Sequence, residues 1–219
     1  MSLGAMMAGG GQQFANSVDL LSASPWVVPG GVTALNVFAA TDGGGTFIES
    51  ISGNFGGSGG GGALILGAVA TVTPSETLSV NIAVPGAFVE YTVVGSVTGP
   101  IFTIRTGENA GQNIGAVRNG GNGGSVSWVP TTQSAGIGAL VNVTGGGILV
   151  GGGNGGTGGV TPSTLGTAGG ASGGGLYPAV AAGANYGGGG GGYFPGDAWL
   201  TNTPTQTNTR GATFIRVRY

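Results

Sequence analysis

Leu78, Val80, Ile82 and Val84 alternate with Ser79, Asn81 and Ala83, so an extended chain here has one apolar face and one small or polar face. This predicts a half-buried strand that stops at the Pro85-Gly86 turn. The same period of two recurs from Thr33 to Ala39, where Leu35, Val37 and Ala39 oppose Ala34, Asn36 and Phe38. It returns from Phe88 to Val94, with Val89, Tyr91 and Val93 on one face, and from Ile101 to Arg105, with Phe102 and Ile104 opposite Thr103 and Arg105. Near the end, Thr213, Ile215, Val217 and Tyr219 face one way and Phe214, Arg216 and Arg218 the other. Ala63 to Val72 is almost continuously apolar and reads as a fully buried strand; Ser125 to Val129, Ala139 to Val143 and Ile148 to Val150 read as shorter ones. Pro29-Gly30 and Thr73-Pro74-Ser75-Glu76 supply turns between them. No apolar pattern at i, i+3, i+4 and i+7 persists for three turns, so essentially no α-helix is expected. The fold class is all-β, a β-sandwich.

Glycine complicates that picture. The chain holds 54 glycines, gathered in Gly56–Gly62 (with Ser58 inside it), Gly151–Gly159, Gly173–Gly175 and the unbroken run Gly187–Gly192. Glycine loses more backbone freedom on ordering than any other residue, so such runs either stay solvated as linkers or use their missing side chains for close approach. In the second case they form threefold polyglycine II helices, which lack internal hydrogen bonds and exchange N–H···O and Cα–H···O contacts with neighbouring strands. Composition favours order: the chain is 40% hydrophobic, its mean hydropathy is +0.32, and only 5% of its residues are charged, against about 25% in an ordinary domain. We therefore expect ordered glycine-rich layers within the sandwich, with irregular glycine loops as the alternative. Residues 1–17, small and polar, read as an N-terminal arm, and 18–219 as a single domain.

Charge and chemistry narrow the function. A net charge of −2 with no lysine leaves no basic surface for phosphates, so nucleic acid is not an expected partner. With no cysteine and no histidine, disulfides, Cys/His zinc sites and His-based catalysis have no residues to work with. The glycine clusters lack a Gly-Lys-Ser/Thr phosphate cradle. Glu49, Glu76, Glu90, Glu108, Asp19, Asp42 and Asp197 show no spacing that marks a hydrolytic pair. The expectation is a protein that is not an enzyme and takes no cofactor or metal. No basic residue precedes an apolar stretch at the start, and the longest apolar run, Ala63 to Ala70, falls far short of the ~20 residues of a membrane span.

The order of the pieces resembles the glycine-rich domain of bacteriophage tail fibre, tail tip and other virion proteins. The matching segments are Trp26-Val27-Val28-Pro29-Gly30-Gly31-Val32 with the strand after it, the Gly56–Gly62 cluster ahead of a strand, Val72 to Val80, the late glycine clusters, and Gly211 to Tyr219. In that family a VPxGVTxLxV strand opens the domain and a GxxxIRxRY-like strand closes it beside the first. Here 42–55 is mixed, whereas the family usually enters a long glycine block at once. The glycine runs alone are also similar to those of phage adhesins built as polyglycine II sheaves with receptor-binding loops at one end. The resemblance implies a virion structural protein made in the host cytoplasm, with other virion proteins and a host cell-surface glycan or outer-membrane protein as partners, and a homo-oligomer, a trimer by analogy with fibres.

On that reading Tyr177, Tyr186, Tyr193, Phe194 and Trp199 are the candidate binding residues, aromatic rings on glycine-supported loops that stack on sugars or apolar receptor surface. The competing role for the same rings is to plug holes between glycine strands. Trp26 and Trp128 read as core, and Arg216 and Arg218 as a solvated strand face with Glu90 or Glu108 as possible partners. A capsid or vertex decoration protein with no receptor role is the main alternative. A polyglycine ice-binding protein is a remote one, since it predicts a strict Gly-X-X period and disulfides.

Overall fold

The computed structural model describes residues 14–44, 60–108, 121–154 and 213–219. They form two antiparallel six-stranded sheets packed face to face. The first has the order β1 (Ser17–Asp19), β12 (Phe214–Arg218), β3 (Ala34–Ala40), β4 (Leu64–Thr71), β11 (Ile148–Val150) and β10 (Leu140–Asn142). The second runs β2 (Trp26–Val27), β5 (Thr77–Ala83), β6 (Glu90–Gly95), β7 (Gly99–Arg105), β8 (Val126–Trp128) and β9 (Gln133–Ala135). The sandwich expected from the alternation is the fold the chain adopts.

Apolar positions two apart point between the sheets. Leu35, Val37, Ile65, Leu149, Ile215 and Val217 of the first sheet meet Leu78, Val93, Phe102, Ile104 and Trp128 of the second in one buried cluster. Trp128 is fully buried and lies parallel to the Phe102 ring, with centroids 5.7 Å apart. Trp26, expected in the core, is half-buried at the periphery, where its ring sits 5.1 Å from that of Tyr219. A smaller cluster of Ala40, Leu64, Val150 and Phe214 occupies the outward face of the first sheet. Gly67, at φ 69°, takes up the register shift between β3 and β4, where Val37 opposes Ala68 and Phe38 opposes Leu66.

The apolar patterns did not mark β1, β9 or the single helical turn α1 (Leu20–Ala23), each only three or four residues long. Asp19 starts α1 by accepting a hydrogen bond from the Leu21 N–H at 3.1 Å. Backbone pairing reaches into the stretch read as an arm: Asn16 and Tyr219 exchange both hydrogen bonds, each at 3.0 Å. No helix among the described residues is long and apolar enough to cross a membrane.

At the end of the sandwich where β12 finishes, one carboxylate ties two turns together. Glu76 is 3% exposed. Its Oε1 accepts from the Thr73 N–H at 2.7 Å and from the Thr98 hydroxyl, and its Oε2 from the Val97 and Thr98 N–H groups at 3.1 and 2.9 Å. Burial by itself would raise its pKa, but these donors outweigh that, led by the Thr98 hydroxyl and then its N–H, and hold the carboxyl below its ordinary value. Gly95 makes room for it, since a Cβ there would strike the carboxylate.

Candidate functional site

At the opposite end the two sheets stop being sheets. Five segments that continue or precede the strands, 41–44, 60–63, 105–108, 121–125 and 151–154, converge and bond to one another through their backbones. The segment 60–63 shows the geometry. The Gly44 and Thr41 N–H groups donate to the Gly60 and Ala63 carbonyls at 2.8 and 3.0 Å, and the Gly60 N–H donates to Glu108 at 3.0 Å. The Gly61 N–H donates to Gly153 and the Gly61 carbonyl accepts from Gly124, both at 2.8 Å. One stretch is thus bonded to four neighbours, where a strand in a sheet has two.

The direction of bonding repeats every third residue. Thr41 and Gly44, three apart, reach the same partner segment; Arg105 and Glu108, also three apart, donate to Ser125 and Asn122 at 2.9 and 2.8 Å. Between them, Thr106 and Gly107 donate to Val89 and Asp42, in two other directions. A pleated strand returns to the same side every second residue, whereas a polyglycine II helix does so every third. Only missing side chains allow such contact. A Cβ on Gly60, Gly62, Gly107, Gly123, Gly124, Gly151 or Gly152 would come closer than 3.0 Å to a neighbouring backbone carbonyl. Among these, Gly62, Gly107, Gly123, Gly124, Gly151 and Gly152 do not have positive φ, so the requirement is for space and not for an unusual dihedral.

Thr41 fastens the sheaf to the sandwich. Buried at 0% exposure, it donates its hydroxyl to the Arg105 carbonyl at 2.8 Å, and its own Oγ1 accepts from the Ala63 N–H at 2.9 Å. Asp42 and Thr213 do the same for β12: the Asp42 N–H reaches the Thr213 hydroxyl at 3.1 Å, and that hydroxyl donates to the Asp42 carboxylate at 3.0 Å. The chain leads into 45–59, 109–120 and 155–212 from this one end, and into 1–13 from the other, beside Tyr219.

The aromatic candidates Tyr177, Tyr186, Tyr193, Phe194 and Trp199 lie outside the described residues, as do Glu49, Asp197 and the runs Gly173–Gly175 and Gly187–Gly192. The described carboxylates each have a structural partner. Asp19 caps α1, Asp42 holds Thr213, Glu76 ties the turns, Glu108 accepts from the Asn122 amide at 2.7 Å, and Glu90 pairs with Arg105 at 2.6 Å. The partner of Glu90 is thus Arg105, while the Arg216 and Arg218 guanidinium groups lie over the Phe214 and Phe38 rings, 5.9 and 4.8 Å from their centroids. Among the described residues no three Asp or Glu side chains gather to hold a metal ion.

Sequence reasoning missed a groove of about 430 Å³ on the outward face of the second sheet, lined by Glu90, Thr103, Arg105, Ser125, Ser127 and Ser134 together with backbone out to Gly136. Register builds it. Asn81 opposes Thr92, Thr92 opposes Thr103, Thr103 opposes Ser127 and Ser127 opposes Ser134, giving one polar row across five strands. The next row toward the sheaf carries the Glu90–Arg105 pair. Alternation places Thr103 and Arg105 opposite Phe102 and Ile104, but it marks no strand at Ser134, and only strand order could bring these positions together.

Fold and site together define a β-sandwich scaffold whose one end is a backbone-bonded glycine sheaf. No protein-family model matches the chain, and no curated protein matches it either.

Proposed function

We propose that this chain is a structural, non-enzymatic protein of a bacteriophage virion, a tail fibre, spike or tip component that contributes to attachment at the host surface. The observation that carries the reading is the sheaf: three long chain segments enter and leave through one end of a sandwich locked by inter-segment backbone hydrogen bonds. A scaffold of that kind fixes the roots of the inserted segments without constraining their sequences, as an adhesin requires. The polarity fits as well. Residues 1–13 join at the opposite end, leaving that end for neighbours in the particle and the sheaf end for the host. Many copies on one particle convert weak contacts into avidity. The resemblance of the opening and closing strands to the phage glycine-rich domain supports the same conclusion.

The test is immunogold electron microscopy with antibodies against the purified chain, applied to particles of a phage whose genome encodes it. Label at the tail tip or fibres is the expected result. Label confined to capsid vertices favours a decoration protein, and absence of label from all particles refutes a virion role.

A further inference from the structure

We propose that the groove on the outward face of β6–β9 is a binding site for an uncharged saccharide. The inference concerns the sheet face alone and stands or falls independently of the virion reading.

The argument is one of matched hydrogen-bonding capacity. Glu90 uses Oε2 for Arg105 Nε at 2.6 Å, which leaves Oε1 as an acceptor and the two terminal guanidinium nitrogens as donors, with no other partner among the described residues. The Arg105 guanidinium lies 5.0 Å from the centroid of the half-buried Phe88 ring, a second contact that helps to hold it in place. Beside this pair stand the hydroxyls of Ser125, Ser127 and Ser134, each able to donate and accept and none engaged among the described residues. Thr103 is held by Thr92 at 3.0 Å and keeps spare capacity. Donor and acceptor thus sit side by side with amphoteric groups around them. That is the complement of vicinal hydroxyls on a sugar ring, each of which also gives one hydrogen bond and takes others.

Charge selects the class of ligand. An anion would meet Glu90 and a cation would meet Arg105, and each side chain already neutralises the other, so a charged group gains little and an uncharged polyol meets no repulsion. The groove is open and polar, and its 430 Å³ lies at the small end of ligand sites, room for one or two rings. Gly136, at the far wall, adds no side chain to the lining. Such a site binds weakly per copy and discriminates by hydrogen-bond geometry.

The experiment uses the full chain, ¹⁵N-labelled, titrated with methyl glucoside, methyl galactoside, methyl mannoside and methyl N-acetylglucosaminide, with glucuronate and glucosamine as charged comparisons. At least one neutral glycoside should shift the amides of Thr103, Ser127 and Ser134. Arg105→Ala and Ser127→Ala should each weaken that binding about tenfold while leaving the remaining spectrum folded. If a variant fails to fold, Ser134→Ala, at an exposed edge-strand position, gives the same test. No shift with any neutral glycoside, shifts confined to other surfaces, or tighter binding of glucuronate or glucosamine than of every neutral sugar would each overturn the proposal.

Discussion

Replacing Gly123 with alanine should be among the most damaging single-methyl changes the described fold can suffer. The new Cβ would fall inside 3.0 Å of the Gly152 carbonyl, which is backbone and cannot swing aside. Segments 121–125 and 151–154 would have to separate. That strains the bond from the Gly152 N–H to the Gly124 carbonyl at 2.9 Å and the one from the Gly123 N–H to Asn154 Oδ1 at 3.0 Å. Two hydrogen bonds at about 1 kcal/mol each, plus about 1–3 kcal/mol for overpacking, give a loss of about 3–5 kcal/mol. Reduced freedom of the unfolded chain returns only about 0.4–1 kcal/mol. Gly86→Ala is the matched control, because a Cβ there meets nothing within 4 Å and the residue does not have positive φ. It should be neutral or slightly stabilising. With a urea m-value of about 2 kcal/mol/M, the two variants should differ in unfolding midpoint by roughly 2 M. Midpoints that agree within about 0.3 M would mean that the segments are not held by backbone contact, and the sheaf would lose its physical basis.

Two further outcomes follow from the same structure. The amides of Gly61, Gly124 and Gly152, whose bonds measure 2.8, 2.8 and 2.9 Å, should exchange with deuterium as slowly as strand amides such as that of Val93, and the Gly86 amide should exchange quickly; random-coil rates across the three would contradict the hydrogen-bonding pattern. Glu76→Gln places an amide NH₂ against N–H donors and should cost about 2–4 kcal/mol. Because folding lowers the Glu76 pKa, its contribution is complete above the unfolded value of about 4.3 and fades as pH falls through the lower folded value. Acid titration of stability should therefore be less steep for Glu76→Gln than for the parent below about pH 4.3, and equal slopes would show that the carboxylate is not what holds the turns.

The long strands were legible because each has one face against the core. Leu35, Val37 and Ala39, or Phe102 and Ile104, repeat every second residue for that reason alone, and β11 was read at Ile148–Val150, the bounds it has in the fold. β9 was not legible: Gln133-Ser134-Ala135 has one buried side chain, and its place is set by pairing with β8. Ile82 lies on the apolar face of β5 yet is 61% exposed, and Val84, expected to continue that face, falls past the strand's end at Ala83 and is 69% exposed. Period fixes which way a side chain points, and it carries no information about whether the opposite sheet extends far enough to cover it. Threefold bonding at Gly60 to Ala63 was one of two readings of the glycine, since composition is the same for a sheaf and for loops. The groove was the least legible feature, because Glu90 and Arg105, and Ser127 and Ser134, become neighbours only through register across strands.

The position of β12 bears on how the molecule is made. Phe214–Arg218 lies between β1 and β3, pairing Val217 with both Val18 and Val37. Until residue 218 has cleared the ribosome, β1 has no partner in its sheet and β3 presents a bare edge, so the growing chain carries a vacant slot while the residues between β3 and β12 are made. Contacts this distant in sequence make folding slow. They also make the nascent edge a place where a strand from a neighbouring polypeptide could dock in error. Completion of the first sheet is therefore a late event, coupled to the end of synthesis of this segment and not to its beginning.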